Sequence, residues 1–196
     1  MKKIVMLGAS PTYPSQTSVL LDHIAARLKR EAVRVDTLHL CDLPSQALFE
    51  AASSDPAIAA ALRLVGEADG IVMVTPVTKA AYSGLLKNFL GLLPQAGLQG
   101  KVVLPLAIGE SPAHLLVLDR VLRPMLGSLA ARRVLESVYA LDLQIAWTEE
   151  TGLRLAPAVE RRMNEAVAHL GDAVLPQHAW IGELPPHSAF MPMMAR

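Results

Sequence analysis

Five short runs rich in Val, Ile and Leu recur along the 196 residues, each separated from the next by a segment with helical spacing. This alternation constrains the fold more than any other feature. The runs are Ile4 to Leu7, Val33 to Leu40, Ile71 to Thr75, Val102 to Ile108 and Val134 to Ala140. Near-continuous apolar runs suit strands buried on both faces. Strands alternating with amphipathic helices build a parallel sheet covered on both sides. The intervening helices carry their own punctuation. The first presents Leu21, Ile24 and Leu28 on one face, and the second opens on Asp55-Pro56 and presents Ile58, Leu62 and Val65. The third runs from about Gly84 through Leu86, Phe89 and Leu90 to Pro94, and the fourth begins at Ser111-Pro112. The fifth begins near Pro157 and offers Val159, Met163, Ala166 and Leu170 before Gly171. Pro105 falls inside an internal strand, where its missing N–H predicts a local bulge.

Composition narrows the function classes. About half the residues are hydrophobic (52%) and the formal net charge is zero, so the chain is globular and lacks the clustered cations that bind nucleic acid. The pairs Arg132-Arg133 and Arg161-Arg162 read as solvated charges. A single cysteine, Cys41, supplies neither a disulfide framework nor a metal set and reads as a small buried hydrophobe. The apolar start, MKKIVMLGAS, is too short for a signal peptide and breaks into a Ser/Pro loop. With every long apolar stretch interrupted by charges, the expectation is a cytoplasmic protein with no membrane segment.

Five strands and five helices connected this way form an α/β, flavodoxin-like domain over residues 1–175, a five-stranded parallel sheet of order 2-1-3-4-5 with helices on both faces. The stretch 176–196, rich in proline and methionine and without periodicity, reads as an irregular tail, either mobile or packed on another subunit. Ligands in such sheets lie beyond the carboxyl ends of the strands. There the first strand opens into Ser10, Thr12, Ser15, Gln16, Thr17 and Ser18, a run of hydroxyl and amide donors just before a helix. A helix N-terminus with free N–H groups and a favourable dipole binds an anion without lysine or arginine. The same residues also read as ordinary helix caps. Neither G-x-G-x-x-G nor G-x-x-x-x-G-K-[ST] is present. What remains is the hydroxyl-rich loop with which flavodoxin-like proteins hold the phosphate of FMN.

The runs TPVTKAAYSGLLKNFLGLLP and LQGKVVLPLAIGESPAHLLVLDRVLRPML carry a family resemblance. Together with the first loop they resemble the NAD(P)H-dependent FMN reductases that serve two-component flavin monooxygenases, above all those of alkanesulfonate assimilation. The resemblance covers roughly the first 145 residues. It implies FMN as flavin, NADPH or NADH as electron donor, a flavin-dependent monooxygenase as partner and a homotetramer. In the family's phosphate loop, G-S-P-R-x-x-S-x-[ST], Ser10, Pro11, Ser15 and Thr17 match, and Thr12 replaces the arginine. The ring-flanking loop matches at Pro76, Lys79, Ala80, Ala81, Tyr82, Ser83, Gly84 and Lys87, with Thr78 in place of tyrosine; the N–H groups of Val77 and Thr78 are expected at the flavin's pyrimidine side. The third loop, a Gly-Gly turn in relatives, reads Gly109-Glu110-Ser111 here. Arg120 stands where relatives carry an aromatic residue on an inserted, bulged turn that controls flavin exchange at a subunit interface. It reads either as a solvated charge or as the altered centre of that interface. Tyr82 reads as core or as a subunit contact, His114 as a capping or packing histidine, and Lys87 and Asn88 as near the site or decorating a helix.

No catalytic side chain and no metal ligand is expected, since hydride transfer to a flavin needs positioning and not an acid or base. Two alternatives share the fold class: an enzyme that keeps FMN and reduces quinones, azo dyes or metal oxyanions, and a flavin electron carrier. Neutral charge disfavours the carrier. A phospho-receiver fails, because Ala9-Ser10 and Thr75-Pro76 stand where it needs acids.

Overall fold

A computed structural model describes residues 1–30, 33–148, 150 and 152–175. The expected tail, 176–196, lies outside the described residues. In chain order come β1 (Lys2–Gly8), α1 (Gln16–Leu28), β2 (Val33–His39), α2 (Ser45–Phe49), α3 (Pro56–Gly66), β3 (Gly70–Thr78), β4 (Ala81–Tyr82), α4 (Gly84–Leu92) and β5 (Val102–Gly109). After β5 follow a 3-10 turn (Pro112–Leu115), a π-helical turn (Leu118–Leu122), α5 (Arg123–Ser128), β6 (Arg133–Val134), β7 (Val138–Leu141), β8 (Ile145–Thr148), β9 (Gly152–Leu155) and α6 (Pro157–Val174). The main sheet runs β2-β1-β3-β5, with β6 and β7 sharing the far edge beside β5, all parallel. This is the expected 2-1-3-4-5 order, with the fifth strand in two pieces.

Two apolar layers sandwich the sheet. On one side Ile4, Met6, Val72, Val74, Leu104 and Leu106 pack against α1 and α6. On the other Val5, Leu7, Ile71, Met73 and Val103 pack against Ile58 and Val65 of α3, Phe89 of α4, and Leu118, Leu122 and Leu126. Alternate residues of the central strands go to opposite layers, so β1, β3 and β5 are buried on both faces, whereas the edge strand β2, expected to be buried likewise, is largely half-exposed. Local chemistry starts the helices where the sequence says. Ser15 caps α1, its Oγ accepting from the Ser18 N–H while Ser18 Oγ accepts from the Ser15 N–H, and Asp55 caps α3 ahead of Pro56.

Four features differ from expectation. β3 does not end at Thr75 but runs through Pro76 to Thr78 and turns back as β4. Lys79 and Ala80 make that two-residue turn at φ of 49° and 56°, the left-handed region that a hairpin of this length demands and that non-glycine residues adopt only at a cost. The chain after β7 folds into the β8–β9 hairpin, and α2 forms where no helix was expected. α6 continues past Gly171 to Val174. The fourth helix passes from 3-10 through a π turn centred on Arg120 into α5, in keeping with the bulged turn that the resemblance implied there. Leu118, Leu122 and Leu126 there are buried in this chain's own core, whereas Leu115, Leu116 and Val121 are exposed.

The irregularity predicted at Pro105 sits beside it. Pro105 pairs with Met73 of β3 in an unbroken ladder. On its other side, β5 advances three residues from Val103 to Leu106 while the fifth strand advances four, from Val134 to Val138. The extra residue is a bulge placed where the proline offers no N–H.

Candidate functional site

A cleft of about 480 Å3 lies over the carboxyl ends of β1, β3, β5 and β7. Backbone geometry at each strand end explains why it is open. The β1 loop leaves over the sheet, held where the Ala9 N–H donates to the Val74 carbonyl at 2.9 Å, and delivers Ser10, Ser15 and Thr17 to one wall. α1 starts at this wall. Its first N–H groups, those of Gln16 and Thr17, have no carbonyl one turn earlier to accept them and stand at the positive end of the helix dipole. Thr75 Oγ1, fully buried, accepts from the Ser83 N–H at 3.1 Å and fixes the β3–β4 loop, so that Pro76, Val77, Thr78 and Ser83 form the opposite wall.

Gly109 ends β5 at the cleft floor. A Cβ there would stand 2.4 Å from the Tyr139 hydroxyl oxygen and 3.0 Å from the Val77 carbonyl oxygen. Tyr139 is held in that place because its hydroxyl donates to the Ser111 carbonyl at 2.7 Å; burial pushes this phenol's pKa upward, so it stays a donor. Only glycine fits between β3 and this tyrosine.

Of the residues singled out from sequence, Ser10, Ser15, Gln16, Thr17, Pro76, Val77, Thr78, Ser83, Gly109 and Glu110 line the cleft. Three do not. Thr12 is exposed in the loop, its N–H donating to Ser10 Oγ. Lys79 stands at the exposed tip of the β3–β4 turn. Ser111 caps the 3-10 turn through Oγ and accepts from Tyr139 through its carbonyl, which makes it a support of the floor. Gln16 also corrects the expectation for its side chain: its Nε2 donates to the carbonyls of Asp142 and Ile145, at 3.3 and 2.9 Å, so the side-chain amide is already engaged. Tyr82 and Arg120 lie outside the cleft, yet β4 packs against the π turn and brings their two elements together. Arg120 itself is exposed.

Gly84 of the ring-flanking loop also lines the cleft; sequence reading missed Leu85, Ile108 and Asp142. Asp142 carried a usable signal, for it directly follows the fifth strand, and in such sheets ligands sit beyond strand carboxyl ends. Among the described residues no group of three or more His, Cys, Asp and Glu side chains is placed to hold a metal, and no helix is long and apolar enough to cross a membrane.

The arrangement matches known proteins. Residues 2–145 match the family model described as NADPH-dependent FMN reductase. An FMN reductase (NADPH) of Pseudomonas putida is 38% identical over 165 residues, 84% of each chain. Another of that name from Escherichia coli K12 is 42% identical over 143 residues, 73% of this chain and 75% of the relative. The apo form of an NADH:FMN oxidoreductase, EMOB, superposes with a TM-score of 0.81 at 33% identity, covering 91% of this chain and 92% of that one. The donor set fits the group these names imply: hydroxyls and free N–H groups at a helix start for a phosphate, and a glycine floor for a flat ring. The chain belongs to the NADPH-dependent FMN reductase family.

Proposed function

We propose that this oxidoreductase takes electrons from NADPH or NADH, passes them to FMN held in the cleft, and releases the reduced flavin to a partner monooxygenase, in sulfonate or other organosulfur assimilation. The observation that carries the reading is the start of α1: Ser10, Ser15, Thr17 and the N–H groups of Gln16 and Thr17 gathered at one wall of a cleft that also has a glycine floor. A volume of about 480 Å3 falls within the 300–1,000 Å3 typical of small-molecule sites.

FMN, when bound, supplies the ring that accepts hydride; the protein's own residues bind and position it. Ser10, Ser15, Gln16 and Thr17 hold the phosphate. Pro76, Val77, Thr78 and Ser83 flank the ring on the β3 side, and Gly109 and Glu110 on the β5 side. Among the described residues the cleft is lined by no lysine or arginine clamp, which suits a flavin that arrives and leaves as a substrate. Residues 1–175 form this FMN-binding domain, working in the cytoplasm. The exposed Leu115 and Leu116 before the π turn and Val121 within it support a homotetramer in which Tyr82 and Arg120 meet a neighbouring subunit and gate flavin exchange.

The test is steady-state reduction of free FMN, FAD and riboflavin by NADPH and by NADH. The expected result is multiple turnovers with FMN as the preferred acceptor. Reduction of quinones, azo dyes or metal oxyanions through FMN that co-purifies and never exchanges would replace this reading with that of an FMN-retaining reductase.

A further inference from the structure

Asp142 has no role in the reading so far, yet it lines the same cleft as the α1 start. The charged residues lining the cleft, among the described residues, are Glu110 and Asp142, and both are carboxylates. Asp142 is also held fast. Its carbonyl accepts from Gln16 Nε2, the first residue of α1. Its Oδ1 accepts from the Leu143 N–H at 2.7 Å. One residue before it, the Leu141 N–H donates to Gln144 Oε1 at 3.0 Å, closing the turn from the other side. The backbone of Asp142 is thus tied to the start of α1, and its carboxylate is tied to the turn that follows β7.

A negative charge in the same cleft as a helix N-terminus draws on the positive potential that favours an incoming anion. With no cation among the described residues that line the cleft to offset it, it also opposes that anion directly. We propose that the Asp142 carboxylate is a specificity-determining group that weakens the hold of the cleft on the flavin phosphate, so that FMN exchanges as a substrate and does not stay as a bound group. The inference rests on the assignment of the α1 start as the phosphate site. The link through Gln16 gives it a structural basis: the side chain that a phosphate would otherwise engage anchors the backbone of the residue that carries the opposing charge.

Asp142→Asn tests this, because asparagine keeps the Oδ1 acceptor for the Leu143 N–H and removes only the charge. Equilibrium binding of oxidised FMN and of riboflavin is measured for wild type and variant across a range of ionic strengths. The expected result is FMN affinity raised about tenfold in the variant, riboflavin affinity unchanged, and a steeper loss of FMN affinity with added salt. An FMN affinity unchanged in the variant, while wild type still prefers FMN to riboflavin, would show that Asp142 only caps its turn. Equal gains for FMN and riboflavin would place its effect on the ring or the loop and also overturn the proposal. A wild type that binds FMN and riboflavin equally would instead remove the phosphate-site assignment itself. Unfolding midpoints for both proteins separate these outcomes from a folding defect.

Discussion

Substituting Gly109 by alanine should disrupt the cleft floor through one identifiable contact. The added Cβ would lie 2.4 Å from the Tyr139 hydroxyl oxygen, about 1 Å inside ordinary carbon–oxygen contact, and 3.0 Å from the Val77 carbonyl oxygen. Tyr139 cannot give way freely, since it is buried and its hydroxyl donates to Ser111. Overpacking of this kind costs about 1–3 kcal/mol. Displacing the hydroxyl from its acceptor adds roughly 0.5–1.5 kcal/mol. The expected loss for Gly109→Ala is thus about 2–4 kcal/mol. Tyr139→Phe alone should cost about 1 kcal/mol, the lost hydrogen bond.

In the double variant the 2.4 Å contact no longer exists, leaving ring carbon Cζ at 3.3 Å and the Val77 carbonyl. The pair should therefore be less destabilised than the sum of the singles by at least about 1 kcal/mol. Urea unfolding of the four proteins measures this cycle. FMN binding should follow the same pattern, because the moved element carries Glu110. Additive stabilities, within about 0.5 kcal/mol, would refute the claim that Tyr139 is what makes glycine necessary at this position.

Ser15→Ala should lower stability by about 1 kcal/mol through the lost α1 cap, and Ser15→Ala with Thr17→Ala should reduce the preference for FMN over riboflavin by one to several powers of ten; equal FMN affinity before and after would sink the phosphate wall. Asp69 accepts from Lys2 Nζ at 2.8 Å and from the Lys3 N–H at 2.9 Å, and the Lys2 hydrogen bond foremost holds its pKa below the usual carboxylate range. A lowered native pKa means that the unfolded chain binds more protons, so this stabilisation is complete above the unfolded value, about 4, and disappears as pH falls through the native one. In thermal melts, Asp69→Asn should accordingly reduce stability at pH 7 and leave it nearly unchanged at the acid end of the window. Arg120→Tyr should leave the melting temperature nearly unchanged, since Arg120 is exposed, while altering flavin exchange rate or oligomeric state. A variant identical in stopped-flow exchange and light scattering would make Arg120 a plain surface charge.

Legibility followed burial. β1, β3 and β5 were readable because both faces of each strand meet apolar layers, so the signal is a continuous apolar run. Capped helix starts at Ser15 and Asp55 were readable because their chemistry is local. The β8–β9 hairpin was not, because Ile145–Thr148 and Gly152–Leu155 are short and half-buried or exposed apart from one buried residue, Ile145, and their turn is not marked by Asn-Gly. The β3–β4 hairpin was hidden for a related reason: Lys-Ala at left-handed φ contradicts the turn code, and only the tertiary frame holds it. In the site, hydroxyls and glycines were legible by type, but which donors were already engaged was not. That Gln16 reaches Ile145, 129 positions away, depends on where α1 crosses the sheet.

The bulge beside Pro105 shows how one local rule reaches the site. Val134 and Tyr139 both face the layer formed with α3 and α4, although they are five residues apart in one strand direction, an odd separation that strict alternation forbids. The single extra residue between Val134 and Val138 reverses the alternation. Without it Tyr139 would turn to the α1 and α6 side, since a one-residue slip moves every following side chain to the other face. The tyrosine would then be absent from the Gly109 floor, and Leu141 would no longer pair with Gly109 to set Asp142 at the cleft. A proline that cannot donate in β5 leaves room for the bulge, the bulge sets the facing of β7, and that facing places both the floor and the carboxylate that opposes the flavin phosphate.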